Sequence, residues 1–258
     1  MKKIFALLLG LTSCSFAFGQ DESGRRSSAE FKKNFVKINL FALPLRNFSF
    51  QYERGFNENI SVAMGVSFLP KGSMPFQKTI RNSMDIESGD TADAGLDFVN
   101  SAKISSWSIT PEFRYYFGKK PLNGFYIAPF FRVGGYNIDW SYKYERNNGG
   151  EKPVNLKGKS TAFSGGLLFG AQWHVGQHLV IDWWILGPQY GSYNVSLEAS
   201  GDFSDLTPTE KADLEDIIEG IGFSGNKFEA TVTNTSVEAK NSIGLPGLRT
   251  GLCIGFTF

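Results

Sequence analysis

Large apolar residues occupy every second position in several segments of the chain, and the residues between them are small or polar. The final segment is the clearest case, because Leu252, Ile254, Phe256 and Phe258 fall on one side of the alternation. A period of two is typical of a β-strand whose two faces meet different surroundings. The pattern predicts strands at residues 35–43, 48–52, 60–68, 109–117, 125–133, 163–173, 179–185 and 243–258.

The connections between these eight segments alternate between short and long. Short turns lie at residues 55–59, 118–124 and around Gly176. Between these hairpins lie long polar connections at residues 70–103, 144–159 and 196–241, with a shorter one at 44–47. This asymmetry is typical of outer-membrane barrels, which have short periplasmic turns and long extracellular loops. The sequence therefore predicts an all-β fold, an eight-stranded antiparallel transmembrane β-barrel.

The charged residues of the predicted strands lie on the face opposite to the apolar one. A soluble, lipocalin-like barrel would point its apolar face inward. In a membrane, a Lys or Arg that faced the hydrocarbon midplane would cost roughly 2–4 kcal/mol, so the charges must face the lumen. We favour the membrane arrangement. It predicts a lumen charge network of Lys37, Glu53, Glu112, Arg114, Arg132, Asp182 and Arg249.

The signs of these lumen charges are nearly balanced, as a paired interior requires. Counting residues from the short turns gives the height of each side chain in the barrel. Equal heights on adjacent strands predict that Lys37 meets Glu53 and that Glu112 meets Arg132. An unpaired buried charge would be costly, whereas paired charges satisfy each other. The network therefore predicts a lumen that is plugged against ions.

The beginning of the chain has the pattern of a secretory signal peptide. Two lysines precede an apolar run at residues 4–11, and Ala17 and Gly19 supply small residues before Gln20. We expect cleavage after Gly19. A lipobox-like Leu11-Thr12-Ser13-Cys14 is the alternative and would attach lipid to Cys14. The expected organisation is a signal peptide at 1–19, a short periplasmic segment at 20–34 and a barrel domain at 35–258.

Aromatic residues cluster beside the predicted short turns, where amphipathic rings suit a membrane interface. They are Tyr52, Phe56, Tyr115, Tyr116, Phe117, Phe125, Tyr126 and Trp173. The opening pair of segments reads Phe35-Val36-Lys37-Ile38-Asn39-Leu40 and Phe48-Ser49-Phe50-Gln51-Tyr52-Glu53-Arg54.

With this opening hairpin, residues 31–258 resemble the small eight-stranded outer-membrane barrels of the OmpA/OmpW-like group of Gram-negative bacteria. The closing strand, with Leu252, Ile254, Phe256 and Phe258, resembles the C-terminal signal that the barrel assembly machinery recognises. The resemblance implies an outer-membrane location, with lipids and that machinery as partners. We expect no added C-terminal peptidoglycan-binding domain.

Composition excludes several other classes. The whole chain has 26 basic and 25 acidic residues, and loss of residues 1–19 would leave 24 basic and 25 acidic, a net charge of −1. This balance gives no reason to expect nucleic acid as a partner. Cleavage would also leave Cys253 alone, so we expect neither a disulfide framework nor a thiolate metal site.

The sequence offers little support for catalysis or for a cofactor. His174 and His178 flank Gly176 in a predicted tight turn, and no third metal ligand lies nearby. Ser164 lacks the glycine pattern of a nucleophile elbow, because Ala162 occupies the position where that pattern requires glycine. None of the long connections contains a histidine. We expect a protein that is not an enzyme and has no cofactor.

The sequence is compatible with three functions. The preferred one is a structural or surface-interaction role for a plugged barrel, with a partner at the 196–241 connection. The alternative is a narrow conduit for small or hydrophobic solutes, which the OmpW-like resemblance implies. Gly247, Gly251 and Gly255 on the inward face of the last segment either line such a channel or make room for bulky neighbours. An enzyme acting at the rim is disfavoured.

Two features of the long connections give further predictions. Thr207-Pro208-Thr209-Glu210 combines a capping-box spacing with proline at the first helical position, and apolar residues follow at helical spacing. This pattern predicts an amphipathic helix from about Pro208 to Glu219. Asp90-Thr91-Ala92 resembles a three-residue O-glycosylation pattern of some Gram-negative bacteria.

Overall fold

The computed structural model describes residues 32–79, 100–145, 151–204, 207–209, 211–212, 215 and 229–258. All of them belong to one compact unit, Lys32–Phe258. The predicted signal peptide with its alternative at Cys14, and the predicted glycosylation site at Thr91, lie outside these residues.

The alternating segments form long strands. Within the described ranges the strands are β1 (Asn34–Asn39), β2 (Phe48–Gly55), β3 (Ile60–Ser73), β4 (Lys103–Tyr116), β5 (Gly124–Glu145), β6 (Glu151–Val175), β7 (Leu179–Ser200), β8 (Glu229–Val232) and β9 (Ser236–Thr257). A 3-10 helix at Leu40–Leu45 separates β1 from β2. No helix in the described ranges has the length and apolar character needed to cross a bilayer.

The strands close into a ring in the order β1-β2-β3-β4-β5-β6-β7-β9, and β9 pairs with β1 again. Every pairing is antiparallel, and the closing pair runs from Phe35 opposite Thr257 to Asn39 opposite Cys253. The short strand β8 adds to the free side of β9 above this closure. The described residues thus confirm the all-β prediction and the antiparallel ring of eight strands.

The burial pattern of the ring is the reverse of that in a soluble barrel. Val36 is 46% exposed, whereas its neighbour Lys37 is 1% exposed. The same contrast recurs along β2 to β4, where charged and polar residues are buried at alternate positions and large apolar residues are exposed between them. The ring therefore has an apolar exterior and a charged interior.

Four strands extend well beyond their predicted ends. β5, β7 and β9 have 22 residues each and β6 has 25, so strand replaces most of the connection predicted at 144–159 and both ends of the one predicted at 196–241. On β6 and β7 the outward positions of the extensions are polar, as Lys157 and Glu198 are, whereas the positions beside them include Leu156 and Val195, which are half-buried. The outward apolar row that predicted the strands therefore ends before the strands do.

The first strand is shorter than predicted. It ends at Asn39, whose side chain accepts a hydrogen bond from the Phe41 N–H and caps the following 3-10 helix. Pro44 lies in that helix. Because proline has no N–H, it would interrupt the hydrogen bonds of a strand that continued to this position. Arg46 ends the turn in the left-handed region and donates to the carbonyl of Ser73 on β3 at 2.6 Å. The 3-10 segment is thereby fixed against the neighbouring wall of the barrel.

A β-bulge midway along β7 changes which of its residues point outward. Phe169 pairs with Leu186 and Gly170 with Trp184, so Ile185 is the extra residue. The alternation predicted that Ile185 faces outward, but Leu186 takes the exposed position instead.

The predicted helix near residue 208 begins where the sequence places it. The described residues Pro208, Thr209, Lys211, Ala212 and Glu215 are helical, and the Lys211 N–H donates to the Thr207 carbonyl at 3.0 Å. The remainder of the predicted helix, up to Glu219, lies outside the described residues.

Candidate functional site in the barrel interior

The charged residues of the interior come from five strands that face one another across the lumen. Lys37 lies on β1, Glu53 on β2, Glu112 and Arg114 on β4, Asp182 on β7 and Arg249 on β9. Small inward residues leave room for the long side chains. Ala63, for example, lies in register with both Glu53 and Glu112.

The lower part of the cluster, the part nearer the short turns, joins two cations to two carboxylates. Lys37 Nζ lies 2.5 Å from Glu53 Oε2 and 2.7 Å from Asp182 Oδ2. Arg114 Nη1 lies 2.7 Å from the same Asp182 oxygen and 3.2 Å from Glu53 Oε2. Lys37 also donates to Gln172 Oε1. The four charged side chains are fully buried, so water does not screen their attraction.

The upper part of the cluster is built around Glu112. Its Oε2 lies 3.0 Å from Arg114 Nη2, and its Oε1 lies 2.5 Å from Arg249 Nη2. Gln51 links the two parts, because its amide donates to Glu112 Oε1 and its carbonyl accepts from Arg114, both at 2.8 Å. Arg114 therefore contacts all three buried carboxylates of the network.

Neutral donors complete the coordination of the carboxylates. Tyr116 donates to Glu53 Oε1 at 2.8 Å, as does Ser61 at 2.5 Å. Tyr126 donates to Asp182 Oδ1 at 2.7 Å, and Trp184 Nε1 donates to Asp182 Oδ2 at 3.2 Å. A buried charge is tolerated when it is both paired and hydrogen-bonded, and this interior meets both conditions.

Two of these donors correct the sequence interpretation. Tyr116 and Tyr126 were expected in the aromatic girdle, but they are 0% and 2% exposed and lie inside the ring. Their even positions share the inward parity of Glu112 and Arg114. The alternation of inward and outward positions therefore indicates a lumen position for both tyrosines, whereas their residue type suggested the membrane interface.

The remaining predicted network residue, Arg132, does not pair with Glu112. The β4–β5 register places Phe130 opposite Glu112 and Val133 opposite Ile109. Arg132 therefore lies level with Thr110, which is two residues from Glu112 along β4 and farther from the short turns. Arg132 Nε donates to Thr110 Oγ1 at 3.1 Å. The predicted Glu112–Arg132 contact was wrong because heights counted from the turns do not give the register of tilted strands.

A cavity of about 550 Å³ lies above the cluster. Arg132 and Arg249 line it, together with Asn39 at the end of β1. Its walls include Phe41, Ala42, Leu45, Phe76, Trp107, Trp184 and Leu248. The cavity thus combines two guanidinium groups with aromatic and aliphatic surface.

The glycines of β9 lie against inward side chains. A Cβ at Gly251 would come within 2.6 Å of the Asn39 amide, and one at Gly255 would come within 2.5 Å of the Val36 carbonyl. A Cβ at Gly247 would meet Gln189 at 2.8 Å. These glycines make room for neighbouring groups and do not widen a channel.

The other residues singled out in the sequence lie outside the cluster. Leu252, Ile254, Phe256 and Phe258 alternate with inward residues on β9, and the last three are exposed. The His174 ring lies 5.7 Å from that of Phe35, whereas His178 stacks on Phe256 at 5.2 Å. In the described part of the chain, no three His, Cys, Asp or Glu side chains form a group that could hold a metal ion.

The fold and its interior define a class: a closed antiparallel β-barrel of eight strands with an apolar exterior and an ion-paired, hydrogen-bonded lumen. The chain belongs to the family described as DUF3575, protein of unknown function, whose model matches residues 12–195. No curated protein matches the chain.

Proposed function

We propose that the protein is an integral outer-membrane β-barrel whose lumen is plugged by charged side chains and whose projecting rim serves a structural or surface-interaction role. The observation that carries the proposal is the inverted burial pattern, with large apolar side chains outside and charges inside. In water such an exterior would form an exposed apolar surface of a kind that soluble monomers avoid. Hydrocarbon is the surrounding that this exterior matches.

The height of the apolar exterior supports insertion in a bilayer. Outward apolar residues run from Ile60 to Phe68 on β3 and from Trp107 to Tyr115 on β4, nine residues in each case. A transmembrane strand needs about 9–11 residues. The apolar rows therefore match one bilayer, with aromatic residues such as Phe117 and Phe125 at the end where the short turns lie.

The long strands extend beyond this apolar height. At about 3.3 Å per residue, a 22-residue strand is about 70 Å long, more than twice the roughly 30 Å hydrocarbon core. The extensions carry exposed charges, including Lys157, Glu198, Glu238 and Lys240. They form a sheet of β5, β6, β7, β9 and β8 on the side opposite the short turns. This projecting sheet supplies the surface that a partner would contact.

Site-directed labelling with a membrane-impermeant maleimide tests location and orientation together. Lys157→Cys on the projecting sheet is expected to react in intact cells. Gln177→Cys in a short turn should react only after the outer membrane is permeabilised, and Val66→Cys on the apolar exterior only after denaturation. The native Cys253 is 1% exposed, so the unmodified chain gives the background. Folding of each variant is checked by heat-dependent mobility on gels.

The labelling pattern discriminates among the alternatives. Reaction of Gln177→Cys but not Lys157→Cys in intact cells would reverse the proposed orientation. Equal reaction of folded Val66→Cys and Lys157→Cys would show that the apolar exterior meets water and would overturn membrane insertion.

A narrow conduit for small or hydrophobic solutes is the second candidate, and the cavity above the cluster is the observation that favours it. Below the cavity, however, the ion pairs between Lys37, Arg114 and their carboxylates cross the lumen. An eight-stranded barrel has an interior just wide enough for side chains to fill. The plugged barrel is therefore the better-supported function.

Conductance separates these two candidates. Purified protein in a planar bilayer is expected to give no steady current, because the buried cluster leaves no continuous water path. Arg114→Ala, which removes the side chain that contacts all three carboxylates, is expected to give openings more often than the unmodified protein. Exchange of the exposed Arg54 for alanine serves as the control. Steady openings of the unmodified protein would favour the conduit.

A further inference from the structure

The cavity above the cluster contains a buried cation whose hydrogen-bonding capacity is only partly used. Arg249 is 4% exposed, and its Nη2 donates to Glu112 at 2.5 Å. Its Nε and Nη1 are buried and have no hydrogen-bond partner among the described residues. A buried donor without a partner is destabilising, and more so when it carries charge. Arg249 therefore has two donors available for a further acceptor.

Aromatic rings hold this guanidinium in place. Its Cζ lies 4.1 Å from the centroid of the Trp184 ring and 5.0 Å from that of Phe130. The ion pair to Glu112 fixes the group from a third direction. A donor that is already oriented loses little entropy when it binds an acceptor, which is the property of a preorganised site.

The balance of charge indicates that the missing acceptor is an anion. The inward charges of the described strands are four cations, Lys37, Arg114, Arg132 and Arg249, against three carboxylates, Glu53, Glu112 and Asp182. Lys37 and Arg114 lie among the carboxylates, whereas Arg132 is bonded to the neutral Thr110 hydroxyl. The excess of one positive charge therefore falls at the two arginines that line the cavity. A single negative charge would neutralise it.

The rest of the cavity fits an apolar chain. Phe41, Ala42 and Leu45 come from the 3-10 helix, while Trp107 and Leu248 come from β4 and β9. The volume, about 550 Å³, lies within the range of small-molecule sites. Phe41 and Phe76 line the cavity and are each 54% exposed, so this side of it reaches the surface.

We propose that the cavity binds an amphiphile with one carboxylate head group and an aliphatic chain, a fatty acid in chemical class. The carboxylate accepts from the free donors of Arg249 and from Arg132, and the chain packs against the 3-10 helix and Trp107. The site is formed by the upper barrel interior and the adjoining 3-10 helix. It does not depend on the proposed surface role or on a path through the plug below.

Tryptophan quenching tests the site, because Trp107 and Trp184 both line the cavity. The probe is ω-bromododecanoate, added to folded protein in a neutral maltoside detergent. Quenching by the acid is expected to saturate, whereas ω-bromododecanol should bind at least tenfold more weakly because it lacks the charge. A charge-assisted hydrogen bond contributes enough to account for a tenfold difference.

Variants identify the residues responsible. Arg249→Gln and Arg132→Gln are each expected to weaken binding of the acid at least tenfold and to leave that of the alcohol unchanged. Arg54→Gln, an exchange on the exposed exterior, should leave both unchanged. If Arg249→Gln does not fold, Arg132→Gln decides the matter, because its described bond is to Thr110 and no described carboxylate loses a partner.

Three results would overturn the proposal. The first is equal binding of acid and alcohol by the unmodified protein, which would indicate partition of the chain alone. The second is unchanged binding of the acid by folded Arg132→Gln and Arg249→Gln. The third is displacement of the probe by acetate with the same affinity as by dodecanoate, which would show that the site takes a free anion and no amphiphile.

Discussion

Replacing Arg114 with leucine is expected to destabilise the barrel by about 3–5 kcal/mol, because the exchange removes a cation that contacts three buried carboxylates. Arg114 is fully buried and lies within 3.2 Å of Glu53, Glu112 and Asp182. Its Cζ also lies 4.5 Å from the centroid of the Tyr126 ring. The measurement is urea unfolding of protein refolded into lipid vesicles, followed by tryptophan fluorescence.

The matched control for this exchange is Arg54→Leu on the exterior. Arg54 is exposed and donates to the side chain of Asn34. Surface exchanges of this kind usually change the free energy of unfolding by about 0.5 kcal/mol or less. Equal costs for Arg114→Leu and Arg54→Leu would show that water screens the interior charges, and the dry plug would have to be abandoned.

The ring of eight strands could be predicted because its two faces meet opposite surroundings. Most inward charges stand between outward apolar neighbours, as Lys37 does between Val36 and Ile38, so the sequence carries the period of the strand and the direction of its side chains. The set of lumen charges follows from that parity without knowledge of which strands are neighbours.

The partners of those charges could not be predicted, because they depend on register and tilt. A Glu112–Arg132 pair follows from heights counted along the chain, whereas the β4–β5 register brings Arg132 level with Thr110. Arg249 meets Glu112 although 137 positions separate them. That contact exists only because the sheet closes through β9 and β1, and no local pattern reports it.

The projecting sheet could not be predicted for a different reason. On the upper parts of β6 and β7 the outward positions are polar, such as Lys157 and Glu198, so the outward apolar row that marks the barrel wall is missing there. The strand pairing itself maintains the sheet, since β6 and β7 stay in register as far as Asn155 opposite Ser200. Backbone hydrogen bonds continue where the outward apolar row ends.

The Glu112–Arg249 pair provides the second large effect, measured as a double-mutant cycle. Glu112→Leu alone is expected to cost about 3 kcal/mol, because Arg249 then loses its carboxylate and stays buried beside Arg132. Adding Arg249→Leu removes that unpaired cation. The double variant should therefore be more stable than the sum of the two single costs implies, by about 1–3 kcal/mol.

The matched control is the same cycle with Arg132, which lines the same cavity but is bonded to Thr110. Glu112→Leu combined with Arg132→Leu should show a smaller coupling, because no direct ion pair joins these residues. Unfolding by urea in vesicles gives all four free energies. Additive costs for Glu112 and Arg249 would mean that their 2.5 Å contact contributes no more than an exposed pair, for which roughly 0–1 kcal/mol is usual. The upper lumen would then contain water as far as Glu112, and only the lower part of the cluster, with Lys37 and Asp182, would remain as the plug.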